Sequence, residues 1–586
     1  MSNPRTAARA NTPLIIAVVA GLLAIGGIYL LTGEDKPAAT RTDCVPLEMS
    51  TSTEKDELIG RMAERYNAAG REFGGGKCAR VTVHGLTSGT AMSALRTGWA
   101  GAETGLPEPQ VWAPSTSLWL SRMPATRRLE VVATEAHRSI MSSPLVVAMP
   151  EEMAAVLLAK HPDPGWDDLL ALATAPGGWA SLGKPEWGKF SLGRDHPELS
   201  SSGLGASIAT FHAGSIADKY PGITNESIVD GEVTRFVHGV ESSVERYSKD
   251  AAEFVDTLLA EDKKKLPVPF VSAIVMQEQL AYTYNRGGPN RKFKTITPTD
   301  GTLQFDHPFV VLASATADQR AAADDFYAYL SEGERQLGFR EAGFRDWANP
   351  NAPTEQLRTT LSIPNGQLVS AIPAPAPDLV EAIVKAWNGT RRKARVLLVL
   401  DVSGSMNEPA AENDPEVRGS KLDLVKPAAK RALDLLSADD EVGLWTFSSP
   451  GHTEHVPVGR VGDNKAALGA AIDGLVATGA TDLYNTVGEA YAKMAAQPDP
   501  ERINAIVVLS DGADSTKVQG ARDALLAKID PELTETKMPI FTISYGQQSD
   551  PETMRMIAAT SKALSYDAVK DPKNIDEVFV SVFHNF

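Results

Sequence analysis

The residues best suited to chemistry lie in three short segments of the C-terminal third. The first, RVLLVLDVSGSM, places Asp401, Ser403 and Ser405 at alternate positions directly after the apolar run Val396 to Leu400. The second, ATGATDL, offers Thr481 in a glycine-flanked loop, and the third, NAIVVLSDGADS, again ends an apolar run in an acid, Asp511. In a parallel α/β sheet, ligands collect at the C-terminal ends of the strands. Three such turns can therefore bring two carboxylates and three hydroxyls to one sheet edge. Donors of this kind suit a hard divalent cation that takes about six oxygens, some of them from water. Mg2+ is the expected ion, with Ca2+ or Mn2+ as alternatives. Each hydroxyl alone would serve equally well as a helix cap; the metal reading rests on their combination with two acids at strand ends.

These five positions match, in order, the D-x-S-x-S, Thr and Asp pattern of the metal-ion-dependent adhesion site (MIDAS), and the region from about Arg395 to Phe586 resembles the von Willebrand factor A (VWA) domain family. The segments EVGLWTF and MPIFTISYG fall where that family places supporting strands. The resemblance implies a Rossmann-like domain in which the bound cation keeps one coordination position for an acidic residue of a protein partner. The sequence departs from the pattern in a polar insertion between Met406 and Leu422, NEPAAENDPEVRGSK. Its acids Glu408, Glu412, Asp414 and Glu416 either reach the open position in cis, tune the site, or belong to a surface loop.

The longer stretch from Cys44 to Arg345 resembles bacterial extracytoplasmic solute-binding proteins. The residues that carry this are MSTSTEKDELI, GLTSGTA, RSIMSSPLVVAMP and the end pattern TDGTLQFDHPFVVL with EAGFR. The resemblance implies two α/β lobes around a cleft in which loop hydroxyls and helix N-termini meet a small solute. Ser50, Thr51, Ser88, Gly89, Thr90 and Ser115 would contribute from the first lobe, and Ser201 and Ser202 (with Gly203) from the second. All of these also suit plain capping roles.

The elements that must hold these residues are legible as alternating strand and helix patterns, the mark of mostly parallel α/β sheets. VPLEM, ARVTV, PQVWA and SPLVVAM read as strands, and EKDELIGRMAERYNAA as a helix with Leu58, Met62, Ala63 and Tyr66 on its apolar face. The expected order is a short cytoplasmic N-terminus (1–12), a transmembrane helix (13–32), a stalk (33–43), the solute-binding-like domain (44–346), a proline-rich linker with a short helix (347–390) and the VWA domain (391–586). The membrane span rests on the uncharged run Leu14 to Leu31, which is long enough to cross a bilayer and is followed by no A-x-A cleavage pattern.

Arg5 and Arg9 before that run are balanced by Lys36 and Arg41 after it, so charge alone leaves the orientation open. The two cysteines, Cys44 and Cys78, precede and open neighbouring strands of a β-α-β unit, which would set them side by side for a disulfide. That favours an oxidising compartment, with the bulk of the chain extracytoplasmic; two unrelated buried thiols are the alternative. The net charge of −17 argues against nucleic acid as a partner. No metalloprotease, nucleophile-elbow or phosphate-loop motif is present, and the pair His452 and His455 lacks further ligands at zinc spacing. The sequence reads as a membrane-anchored binding protein, not an enzyme. The alternative is a solute receptor that uses the N-terminal cleft, with the VWA domain as its assembly module.

Overall fold

The computed structural model describes residues 44–586, apart from 100–103, 135–137, 368, 411–417, 517, 532, 535–537 and 570–573. The expected N-terminal segment, membrane span and stalk lie outside the described residues. Among the described residues, no helix is long and apolar enough to cross a membrane.

Three six-stranded sheets organise the chain. The first lies in lobe 1 and runs, edge to edge, through Glu72–Phe73, Lys77–Gly85, Val45–Thr51, Val111–Ala113, Pro308–Val311 and Arg138–Ser139. Val45–Thr51 and Lys77–Gly85 are parallel with Val45 opposite Ala79, so Cys44 and Cys78 meet at the strand starts and form a disulfide. The helix between them, Asp56–Ala68, buries Ile59, Met62, Ala63 and Tyr66. Ile59 takes the inner position expected of Leu58, which is only partly buried at the edge of the same core.

Lobe 2 is built on Phe293–Ile296, Ser143–Pro150, Ala273–Gln277, Leu192–Asp195 and Val244–Ser248, with Gln304–Phe305 added to Ser143–Pro150. The chain passes between the lobes at 139–143 and 305–308, where strands of one sheet hand over to the other. A buried ion pair, Arg345 with both oxygens of Glu278 at 2.7 and 2.6 Å, fastens this crossing.

The third sheet has the order His452–Arg460, Glu441–Phe447, Lys393–Asp401, Arg502–Ser510, Ile540–Tyr545 and Ser565–Ala568, and is parallel except at its first edge. Its inner strands are unbroken apolar runs because both faces are covered, as parallel sheets require. Val396, Leu398 and Leu400 pack with helix Lys421–Asp434 on one face. Leu397 and Val399 pack with helices Leu483–Ala496 and Ala521–Ile529 on the other.

The proline-rich segment is a connection, but a packed one. Leu357, Leu361 and Ile363 are buried in lobe 2, and Ala371 bridges to Thr302. Helix Pro377–Thr390 buries Trp387 between His196 and Tyr247, with ring centroids 5.1 and 5.3 Å away. The C-terminal helix Ile575–Phe583 and the residues after it lie against the same place. His584 meets His196 at 5.0 Å, Tyr247 N–H donates to the Asn585 carbonyl at 3.1 Å, and Lys249 donates to Ser581 Oγ at 2.9 Å. The third domain is therefore docked on lobe 2 and does not hang on a free proline-jointed arm.

Candidate functional site

The strand register brings the predicted cation ligands together at one sheet edge. Leu400 pairs with Leu509, so Asp401 and Ser510 follow side by side, and Ser510 Oγ donates to Asp401 Oδ2 at 2.6 Å. The Ser403 amide donates to Asp401 Oδ1 at 2.8 Å. Both oxygens of this buried acid thus have protein donors, and it orients the turn from beneath. Beyond it, Ser403 Oγ and Ser405 Oγ are 3.1 Å apart, and Ser405 Oγ donates to Asp511 Oδ1 at 2.8 Å.

Three loops are stitched around this row of oxygens. Gly404 N–H donates to the Gly479 carbonyl at 2.9 Å, and Thr478 N–H to the Val402 carbonyl at 2.7 Å. Ser515 holds the Thr481 carbonyl through both its amide and its hydroxyl, at 2.9 and 2.7 Å. Gly512 keeps the centre open: a Cβ there would stand 3.2 Å from Thr481 Oγ1 and 3.9 Å from Ser405 Oγ. Asp401, Ser403, Thr481 and Asp511 are buried, and Ser405 is partly exposed, so the cluster opens to solvent on that side.

One residue of the site has no counterpart in the sequence reading. Lys421, at the start of helix Lys421–Asp434, is buried, and its ammonium donates to Asp511 Oδ2 at 2.8 Å and to Glu408 Oε2 at 3.0 Å. Lys421 N–H donates to the Glu408 carbonyl, and Pro409 bridges to Ser420, so the two ends of the polar insertion are pinned together beside the site. The rest of the insertion, with Glu412, Asp414 and Glu416, lies outside the described residues. A helix start following a polar loop was visible in the sequence; that it delivers a cation to Asp511 was not.

Burial pushes the Asp401 carboxyl up to about 6, with Asp511 adding to the effect against the donors Ser510 and Ser403. Burial alone would lower Lys421, but the hydrogen bond and charge of Asp511 outweigh it and hold the ammonium above its ordinary value. Among the described residues, no group of three or more His, Cys, Asp or Glu offers a metal site. The donor set at this edge is instead dominated by neutral hydroxyls, which fits a hard cation and not a thiolate- or imidazole-loving one.

The cleft residues end up differently. Ser115 Oγ donates to Glu54, Ser88 Oγ accepts from Ser115 N–H, and Thr90 is tied to Thr87. Thr51 donates to the Ala113 carbonyl, Gly89 N–H to the Leu199 carbonyl, and Ser201 Oγ accepts from Trp119 Nε1. The structure does gather these residues where the lobes meet, but it commits most of them to the chain itself. Ser50 and Ser202 are buried there with hydroxyls that bond to no other protein group. Glu54 and Lys55, with the buried ring of His307 beside them, form the ionisable centre of this region, which the sequence reading passed over.

Residues 55–345 match the family model of bacterial extracellular solute-binding proteins, and residues 396–513 match that of the von Willebrand factor type A domain. Among solved structures, a von Willebrand factor type A protein from Catenulispora acidiphila is 19% identical, covering 33% of this chain and 42% of its own length, with a TM-score of 0.29. This chain thus spans less than half of that protein. The periplasmic binding protein P5PA is 14% identical over 59% of this chain and 99% of its own, with a TM-score of 0.39. The periplasmic binding protein AfuA from Actinobacillus pleuropneumoniae, solved with fructose-6-phosphate, is 12% identical over 59% of this chain and 98% of its own, with a TM-score of 0.40. No curated protein matches the chain.

Proposed function

We propose that this chain, which joins a bacterial extracellular solute-binding domain to a von Willebrand factor type A domain, is an extracytoplasmic binding protein that grips the carboxylate of a protein partner through a divalent cation. Ser403, Ser405, Thr481 and Asp511 would hold the cation, and Asp401 would fix the loop and reach it from below. When bound, Mg2+ or a similar ion supplies a positive centre with a coordination position for one further oxygen.

The observation that carries this reading is the continuous row of Ser403 Oγ, Ser405 Oγ and Asp511 Oδ1, with Thr481 Oγ1 facing it across Gly512. Asp401, Asp511 and Glu408 bring three negative charges to this edge and Lys421 returns one positive, so a divalent cation brings the cluster to neutrality. The role is binding, not catalysis. The disulfide favours an oxidising compartment, and the apolar run Leu14 to Leu31 would anchor the chain in the membrane.

The test uses Mn2+ as the probe on the full chain. Water-proton relaxation by bound Mn2+ should fall when a glutamate-containing peptide displaces water from the ion. Asp401→Ala or a chelator should abolish the bound-Mn2+ signal with the circular dichroism spectrum unchanged. Mn2+ binding that survives Asp401→Ala and Asp511→Ala would refute the proposal.

A further inference from the structure

The groups that a solute-type cleft would turn toward a ligand converge here on a side chain of the protein. Glu54 follows strand Val45–Thr51, and its carboxylate is only 5% exposed. Ser52 Oγ and Ser115 Oγ each donate to Glu54 Oε1 at 2.8 Å. Lys55 Nζ stands 3.4 Å and His307 Nδ1 3.5 Å from the same oxygen. Lys55 also donates to Ser52 Oγ, which relays the ammonium to the carboxylate. Four groups from three separate chain segments thus surround one carboxylate oxygen.

The scaffold around this oxygen is fixed. His307 has a backbone φ of 40° and is clamped on both sides: its N–H donates to the Ser115 carbonyl at 3.0 Å, and its carbonyl accepts from Ile140 N–H at 3.1 Å. A non-glycine residue in that region persists only where its surroundings impose it. The lobes touch directly over the cluster. Gly89 N–H donates to the Leu199 carbonyl, and a Cβ on Gly89 would come within 2.0 Å of the Glu198 carbonyl oxygen. Trp119 Nε1 donates to Ser201 Oγ from the other lobe at 2.8 Å.

We propose that this cleft is a carboxylate site whose resident ligand is the chain's own Glu54. The free solute class that fits the site is a small carboxylate, excluded while Glu54 is seated. Burial pushes Glu54 up, but the charge of Lys55 leads the effects that outweigh it and hold the carboxyl at about 2, so the seated group is the anion. Burial drives His307 down to about 3, so its ring faces Glu54 uncharged at neutral pH. This proposal stands apart from the cation site and survives or fails without it.

The experiment follows tryptophan fluorescence of the full chain during heating. Trp445 is the only tryptophan after Trp387, so the signal reports chiefly the N-terminal domain. Glu54→Ala should lower the melting temperature by about 5 °C. Sodium acetate should then restore at least half of the loss relative to an equal concentration of sodium chloride. The wild-type chain should show no response to acetate beyond that of chloride. Glu54→Gln should melt lower and stay unresponsive, because its amide fills the seat. Stabilisation of the wild-type chain by acetate or inorganic phosphate would overturn the proposal. So would Glu54→Ala at the wild-type melting temperature, a loss that acetate fails to restore, or a better response to phosphate than to acetate. Should Glu54→Ala fold only with added acetate, that recovery supports the proposal, and failure to recover overturns it.

Discussion

The Asp511 carboxylate divides its oxygens between a hydroxyl, Ser405 at 2.8 Å, and an ammonium, Lys421 at 2.8 Å. A divalent ion at this edge would sit within a few ångströms of that ammonium, and like charges so close repel. With an effective dielectric constant near 20, a double charge about 4 Å from a single one is repelled by roughly 8 kcal/mol before relaxation. Lys421→Met should therefore tighten Mn2+ binding about tenfold or more, read by isothermal titration calorimetry. Weaker binding in that variant would show that Lys421 positions Asp511 more than it opposes the ion. The contrast with the other five residues shows what a sequence can carry. Asp401, Ser403 and Ser405 form one local pattern, and Thr481 and Asp511 each end a recognisable strand or open a helix. Lys421 ends the polar insertion and meets Asp511 across 90 positions, and no spacing announces that pair.

At the scale of elements, the site depends on how closely its loops approach. Gly512→Ala should weaken Mn2+ binding at least tenfold while leaving the melting temperature within a few degrees. Its Cβ would press on Thr481 Oγ1, the far end of a side chain, and not on backbone. Unchanged affinity would mean that Thr481 lies outside the coordinating set.

A second element-level prediction concerns Asp440. This buried acid pairs with Arg391 at 2.5 Å and accepts from the Ala394 and Ser437 amides at 2.7 Å each, tying the strand start at Lys393 to the loop before Glu441. Asp440→Ala strands a buried guanidinium and should cost about 3–5 kcal/mol, measured by denaturant unfolding. A loss below about 1 kcal/mol would contradict that role. The strands around this point were readable because doubly covered parallel strands are continuous apolar runs. The packing of 347–390 on lobe 2 was not, because prolines report where regular structure stops and say nothing of what the chain leans on. The inner position of Ile59 was missed for a related reason: Leu58 and Ile59 are adjacent apolar residues, and helical spacing admits either.

At the scale of the molecule, the docked junction makes a pH prediction. His196 and His584 face each other across the domain boundary, and both are driven toward the neutral form. Burial is the main cause for each, and it places His584 at about 4. Around His196, His584 itself and the charges of Arg391, Arg194 and Arg122 act in the same direction, as Lys249 does for His584. Tyr247 packs on the His196 ring, and Asp195, adjacent in the chain, is pushed up to about 8 by burial and so carries its proton at neutral pH.

A histidine depressed in the folded state stabilises it above the unfolded pKa of about 6.5, and that stability is lost as pH falls toward the folded value. The histidines should therefore weaken the junction between pH 6.5 and about 4, by about 1.4 kcal/mol per pH unit for each one involved. The raised Asp195 works in the opposite direction over this range, so two histidines are needed for a net loss. Small-angle scattering should show the chain extending over that range, and His584→Phe should remove much of the effect. A radius of gyration unchanged down to pH 4 would contradict it.

Five side chains from three loops are proposed to hold one divalent cation. Titration of the full chain with Mn2+, followed by calorimetry, tests it most directly. The wild-type chain should bind one ion that Mg2+ displaces, and Ser405→Ala, Thr481→Ala and Asp511→Ala should each reduce the affinity at least tenfold without changing the melting temperature of the apo chain by more than a few degrees. A wild-type chain that takes up no Mn2+ at millimolar concentration, or three variants that bind it as the wild type does, would contradict the account.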